Sequence, residues 1–414
     1  PLSPSWVISK SRNIIARLKP DYHNKRFDIE VVSGVTDAEM TVADKGTVQS
    51  GDMAYELDGK TYRTPIKTLR GDYRNADGNT GNRLRLWEIS DFKPRPDDIF
   101  QERLYAIQWI SKKTLDASRQ DTWFAAPTPA DLERERRVEQ IVAESLGRWQ
   151  GEGLVPDMAI EPGDETTRLF RERGWTHWHQ LFNARALWLL AAIGKRNTKY
   201  VWPAFNSCIN YVSKLCYWAT SGKRFSKTDP DQQTGGASDN SVSVFVNQAL
   251  NPFYSYSQRA FTILKDEFYS KYLNRGVTQG SVEIHSLPSE RVKHEQDIWI
   301  TDPPYADAVN YHEITEFFIA WLRKNPPKPF DGWVWDSRRA LAIKGSGDDF
   351  RRGMVAAYKA MAEHMPDNGM QCVMFTHQDT GVWSDLIGIF WAAGLQVVAA
   401  WYIATETASE IKKG

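Results

Sequence analysis

Asp297-Ile298-Trp299-Ile300-Thr301-Asp302-Pro303-Pro304-Tyr305 decides how this chain is read. Ile298 to Thr301 have the β-branched and aromatic composition of a buried strand. Asp302-Pro303-Pro304-Tyr305 then ends it, because each proline fixes φ and lacks an N–H. A carboxylate, two stiff donor-free peptide units and an aromatic ring therefore stand at the carboxyl end of a strand. In open α/β sheets, ligands bind at that edge.

The chemistry open to such a turn is specific. The lone pair of an exocyclic amine on a nucleobase is delocalised into the ring, so the amine is a poor nucleophile. Acceptors aimed at its N–H groups localise that lone pair. The Asp302 carboxylate and the Pro303 carbonyl are such acceptors, and Tyr305 offers a face for an extruded base, worth about 1–3 kcal/mol per stacked base. The plain alternative is a strand-to-loop turn with a solvated Asp, since Asp-Pro is common in turns. All four residues directly after an apolar strand favour a site.

At these residues a family resemblance enters. Asp302-Pro303-Pro304-Tyr305 resembles the (Asp/Asn/Ser)-Pro-Pro-(Tyr/Phe/Trp) signature of S-adenosylmethionine-dependent amino-methyltransferases that act on DNA, mostly at adenine N6. Tyr305-Ala-Asp-Ala-Val-Asn-Tyr311 and Glu313-Ile-Thr-Glu-Phe-Phe-Ile-Ala-Trp-Leu-Arg323 are similar to prokaryotic adenine-specific DNA methylases that carry a zinc ribbon. Several of these belong to anti-phage gene clusters. Leu181-Phe-Asn-Ala-Arg-Ala-Leu187 and Phe245-Val-Asn-Gln-Ala-Leu-Asn-Pro-Phe253 look like other landmarks of that group.

The resemblance implies a Rossmann-like methyltransferase sheet, a base flipped out of double-stranded DNA, S-adenosylmethionine as cofactor and catalysis by Asp302, Pro303, Pro304 and Tyr305. Asn310 and Tyr311 are candidates for the pocket wall, or hold structural roles. Cytosine N4 carries the same kind of amine, and RNA is a further substrate class.

Composition bounds the rest. The chain has 414 residues, enough for two or three domains. Its 52 basic and 52 acidic residues balance, so a nucleic-acid surface has to be a local patch. The 17 tryptophans suit large cores and an interface better than a row of base platforms. Cys208, Cys216 and Cys372 form no CxxC pair, so neither a disulfide framework nor a four-ligand zinc site is expected, a departure from the zinc-ribbon family. No run of 18 apolar residues spans a membrane, and no signal peptide is readable, which points to the cytoplasm.

Outward from the turn, three regions are expected. Residues 1–125 read as a β-rich module, with alternation in Arg26-Phe-Asp-Ile-Glu-Val-Val32 and a hairpin turning at Asp58-Gly59. Arg83-Leu-Arg-Leu-Trp-Glu-Ile89 and Arg103-Leu-Tyr-Ala-Ile-Gln-Trp-Ile110 extend its strands. The module is either a target-recognition region using Arg83 and Arg85 or a structural sheet.

Residues 126–275 read as mainly helical. Thr128 is the N-cap, Pro129 the first helical residue and Asp131 the N3 residue of a helix through about Leu146. Leu181, Arg185, Trp188, Leu189 and Ala192 share one predicted face. Lys195 and Arg196, then Lys223 and Arg224, sit in predicted loops as phosphate contacts or as ordinary surface charge. A flexible loop is expected from Lys227 to Ser241.

Residues 276–414 read as half of a doubly wound sheet with helices on both faces. Strands are expected at Gly280-Ser-Val-Glu-Ile-His285, Ile298-Trp-Ile-Thr301, Gln371-Cys-Val-Met-Phe-Thr376 and Gln396-Val-Val-Ala-Ala-Trp-Tyr-Ile403. A helix following the turn carries Ile314, Phe317, Phe318, Trp321 and Leu322 on one face. His285 and Ser286 are placed to reach the cofactor's adenine, or are plain turn residues.

No Phe-x-Gly-x-Gly turn precedes residue 302. The chain also opens at Pro1 without Met. The expectation is a chain that begins mid-protein and needs an upstream half, or a partner subunit, to supply the Gly-rich cofactor turn. Other defence-system proteins are possible partners. A non-catalytic DNA-binding or scaffolding subunit is the competing reading.

Overall fold

The computed structural model describes residues 2–84, 102–117, 119–195, 202–222, 224–225, 233–235, 237–253, 255–260, 283–304, 310–337, 339–344, 347–377 and 379–403. The fold is mixed α/β, with small sheets and several helices. It divides into two compact units. The first holds Pro1–Arg275 and Phe317–Trp335, the second Gly276–Glu316 and Asp336–Gly414.

The first unit opens with an antiparallel sheet of Val7–Ser9, Ile14–Asp21 and Arg26–Ser33. Trp6, Val7, Ile8, Ile14, Ile15 and Ala16 are all buried, so both faces of the sheet are covered at this end. Next, Asp52–Leu57 and Lys60–Pro65 pair through the Asp58-Gly59 turn, whose φ values of 52° and 73° are both left-handed. That is the turn chemistry expected where an Asp-Gly pair joins two twisted strands. Ile107–Ile110 and Thr122–Ala125 form a further hairpin. Of the other expected strand, residues 83–84 are not in a strand and residues 85–89 lie outside the described residues.

Helix Pro129–Gly151 starts where the sequence places it. The Thr128 hydroxyl accepts from the Asp131 N–H, and the Thr128 N–H donates to Asp131. The helix runs five residues past the expected end, because Val142, Leu146 and Trp149 continue one buried stripe. Its neighbours are Thr167–Arg173, Ala184–Gly194 and Trp202–Tyr211. Trp178, Leu181, Phe182, Leu187 and Leu190 are buried here, and Phe182 stacks on Phe317 at 5.4 Å between centroids.

Three expectations for this region are corrected. On Ala184–Gly194 the buried positions are Ala184, Ala186, Leu187, Leu190 and Ala191, whereas Arg185, Trp188 and Ala192 are exposed. The helix is apolar nearly all round, so spacing alone does not choose its inner face. The region also contains antiparallel strands, Tyr217–Ser221 against Ser238–Val242. The polar strand Ser238–Val242 falls in the expected flexible loop and is held by side-chain hydrogen bonds. Asp239 accepts from Ser9 and Thr220, each at 2.6 Å. Lastly, Arg224–Phe225 is a short strand paired with Gln233–Gly235, so Arg224 is not in a loop.

The second unit is built on two parallel strands, Ile298–Thr301 and Met370–Val373, in register from Ile298 opposite Met370 to Thr301 opposite Val373. Helices Asp348–Glu363 and Thr380–Ala392 pack against one face through Phe350, Met354, Tyr358, Met361, Leu386 and Phe390. Trp299 and Val373 turn toward that core.

The strand preceding the turn is therefore buried on one face only, not on both. Ile298 is 60% exposed and Ile300 68%. Parallel strands are ordinarily covered on both faces, so the open face is the main departure from expectation. Of two other expected strands, residues 280–282 lie outside the described residues, and Glu283 to His285 and residues 396–403 carry no regular structure. Val398, Trp401 and Tyr402 are exposed there, since no edge pairs with them among the described residues.

Candidate functional site

The turn after Ile298–Thr301 is fixed from both sides. Met370 N–H donates to Asp297 O and Met374 N–H to Thr301 O, each at 2.9 Å, so pairing runs up to the last strand residue. Thr301 Oγ1 lies 3.1 Å from the Tyr358 hydroxyl of helix Asp348–Glu363. Beyond it Asp302 is exposed, Pro303 is buried and Pro304 is exposed. A buried proline between two exposed residues anchors the backbone while presenting the carboxylate to solvent. Tyr305 lies outside the described residues.

Asp302 acts electrostatically on this corner. Burial pushes the Tyr358 phenol up from its ordinary pKa, the Thr301 hydrogen bond works against that, and the Asp302 charge raises it further. Tyr358 thus stays neutral and supports the last residue of the strand.

Asn310 and Tyr311 resume the described chain at the start of helix Tyr311–Leu322. The Asn310 carbonyl accepts from the Glu313 and Ile314 N–H groups at 2.9 and 3.3 Å, which fixes the first turn. The Tyr311 side chain is exposed.

One feature of this helix was not read from the sequence. Glu313 and Glu316 are both buried, together with Arg339 from the short helix Arg339–Leu341. Arg339 Nε donates to Glu316 Oε2, and its Nη1 is 4.0 Å from Glu313 Oε2. His312 Nε2 lies 3.9 Å from Glu313, and Ser337 Oγ donates to Glu316 at 3.5 Å. The available signal was a pair of carboxylates spaced i, i+3 beside an apolar face, which calls for a counter-charge. Which arginine supplies it is a tertiary fact.

His285 and Ser286 are exposed. His285 Nε2 is 3.3 Å from Glu283, and its ring stacks on His294 at 4.8 Å. Two stacked imidazoles offer a flat face suited to a purine. They do not make a cradle for a sulfonium or an amino-acid group, so this pair fits only the adenine end of the expected cofactor.

The basic candidates belong to the first unit. Lys195 is exposed at the end of helix Ala184–Gly194, and the backbone of Arg224 pairs with Gly235. Arg196 and Lys223 lie outside the described residues.

The first unit also has a broad concavity lined by Arg70, Glu102, Arg173, Lys214 and Tyr256. Its charges neutralise one another. Lys214 Nζ is 2.5 Å from Glu102, and the Tyr256 hydroxyl donates to Glu102 at 2.8 Å. Burial pushes the Glu102 carboxyl up, but the Lys214 charge and these hydrogen bonds outweigh that and hold it below its usual range. Such a satisfied cluster fixes structure. The turn at Asp302, by contrast, presents an exposed carboxylate.

No protein-family model, curated protein or solved structure matches this chain. Among the described residues, no helix is long and apolar enough to cross a membrane.

Proposed function

We propose that this chain carries the base-binding part of an S-adenosylmethionine-dependent amino-methyltransferase acting on adenine N6 in DNA. The observation that carries the reading is the exposed Asp302 carboxylate beside the buried Pro303, at the carboxyl end of a parallel strand. Acceptors held rigidly at such an edge suit a flipped-out base.

In this mechanism Asp302 and the Pro303 carbonyl accept hydrogen bonds from the N6 amine. They orient its lone pair and stabilise the positive charge that grows as the amine attacks. Tyr305 stacks on the base, and Asn310 and Tyr311 wall the pocket. The cofactor supplies an electrophilic methyl group when bound, with His285 and Ser286 toward its adenine. Positioning and fixed acceptors provide the acceleration. A Rossmann-like methyltransferase sheet accounts for the parallel strand pair and for helices on one face. Its completion by a polypeptide carrying the Gly-rich turn accounts for the open face at Ile298 and Ile300.

The exposed face also favours a second reading, a scaffold that docks on other defence proteins and catalyses nothing. Calorimetric titration of S-adenosylmethionine separates the two. The chain is combined with the polypeptide that supplies the Gly-rich turn. Saturable binding supports the methyltransferase; no heat of binding supports the scaffold.

A further inference from the structure

The hairpin of Ile107–Ile110 and Thr122–Ala125 has two unlike faces. In its register Ile110 faces Thr122 and Gln108 faces Phe124, while Trp109 stands directly opposite Trp123 and Ile107 opposite Ala125. Directly opposed residues share a face, and neighbours along a strand alternate. The Phe124 face is used internally in part: Phe124 packs edge-on against Trp218 at 5.8 Å, and Arg12 bonds to both the carbonyl and the hydroxyl of Thr122, while Gln108 is exposed. The other face carries two adjacent indoles. Trp123 is 50% exposed and Trp109 half-buried.

The connection between the strands is cationic. Lys112 and Lys113 form its short helical turn with Thr114, and Arg119 follows. All three are exposed, and none forms an ion pair among the described residues. Asp116 and Asp121 are the carboxylates of the same connection, so the cations are in excess.

We propose that this outer face binds a single-stranded nucleic acid, with unstacked bases on Trp109 and Trp123 and phosphates on Lys112, Lys113 and Arg119. Charge selects a polyanion. The exposed Trp123 indole, with the half-buried Trp109 beside it, selects bases that are free to stack, which a duplex keeps inside its own stack. An aromatic pair across a hairpin also stabilises the strands themselves, but that role alone leaves the half-open Trp123 and the unpaired cations without use. The surface belongs to the first unit and does not rest on the Asp302 chemistry. Asp302→Ala leaves it intact, so the two readings fail separately.

The test is fluorescence anisotropy of the full chain with a labelled DNA strand of about 20 nucleotides, longer than typical single-strand sites, and with the matching duplex. Trp123→Ala is expected to weaken strand binding about tenfold, the loss of one stacked base. Trp123→Phe keeps an aromatic face and is expected to stay within about threefold, which separates stacking from misfolding; circular dichroism checks the fold. Replacing Lys112, Lys113 and Arg119 together by Gln should flatten the salt dependence by about 2 in log–log slope. Trp123→Ala binding the strand within twofold of wild type overturns the proposal. So does equal affinity for strand and duplex, or Trp123-dependent binding to phosphatidylserine vesicles without strand binding.

Discussion

Arg339, in the short helix Arg339–Leu341, donates from Nε to Glu316 of the helix that follows the Asp302 turn, and both side chains are buried. One guanidinium holds two buried carboxylates, Glu316 and Glu313. Removing the cation strips both carboxylates of this counter-charge in a low-dielectric site, which costs about 3–5 kcal/mol. Arg339→Leu should lower stability by that order, read as a drop in urea midpoint at unchanged slope. Adding Glu316→Leu should recover part of the loss. A single variant as stable as the wild type would contradict this account of the cluster.

Tyr358 supports the strand end through its hydrogen bond to Thr301. Tyr358→Phe keeps the ring packed on Phe390 and removes only the hydroxyl. The expected loss is about 0.5–1.5 kcal/mol. Thermal unfolding checks it, and a loss above about 3 kcal/mol would mean that the ring itself has moved.

His179 makes stability depend on pH. Burial, and then the neighbouring His177, push its pKa down from 6.5 to about 4, with Asp157 opposing. The unfolded chain thus binds a proton that the folded chain resists. Its contribution is unaffected above pH 6.5 and is lost as pH falls from 6.5 toward 4. The slope is at most about 1.4 kcal/mol per pH unit. Replacing His179 by Gln should flatten the decline in that window, measured by urea unfolding at pH 7, 6 and 5. An identical decline in wild type and variant would assign the acid sensitivity elsewhere.

The cysteines should react unequally. Cys208 and Cys216 are buried, and burial pushes the Cys216 thiol up to about 11. Cys372 is exposed, opposite Ile300 on the open face of the parallel pair. A thiol reagent should therefore consume one thiol promptly in the native chain and all three after denaturation. Prompt reaction of two would show that the helical core opens readily. Protection of Cys372 on adding the polypeptide with the Gly-rich turn would place that polypeptide over this face.

Local signals made several elements legible. Thr128-Pro-Ala-Asp131 caps its helix as written, Asp58-Gly59 turns its hairpin, and Ile298 to Thr301 form the strand before the turn. Partner-dependent features were not legible. Spacing could not choose the inner face of the nearly all-apolar helix Ala184–Gly194. Composition hid the polar strand Ser238–Val242, whose bonds go to Ser9 and Thr220. The apolar run at residues 396–403 has strand composition but pairs with no edge among the described residues. The end of the strand at Asp302-Pro303-Pro304 could be read directly, whereas the Arg339 clamp needed chain folding to bring distant residues together.

The most direct test of the central claim is nucleoside mass spectrometry. The chain and the polypeptide with the Gly-rich turn are incubated with unmodified DNA and isotopically labelled S-adenosylmethionine, with Asp302→Ala in parallel. The account predicts labelled N6-methyladenine in the wild-type reaction and less than about a tenth of it in the variant, a loss of at least about 1.4 kcal/mol in transition-state stabilisation. The variant's circular dichroism and melting curve should be unchanged. Labelled N4-methylcytosine would keep the mechanism and change the base. No labelled base at all, or full N6-methyladenine from Asp302→Ala, would contradict it.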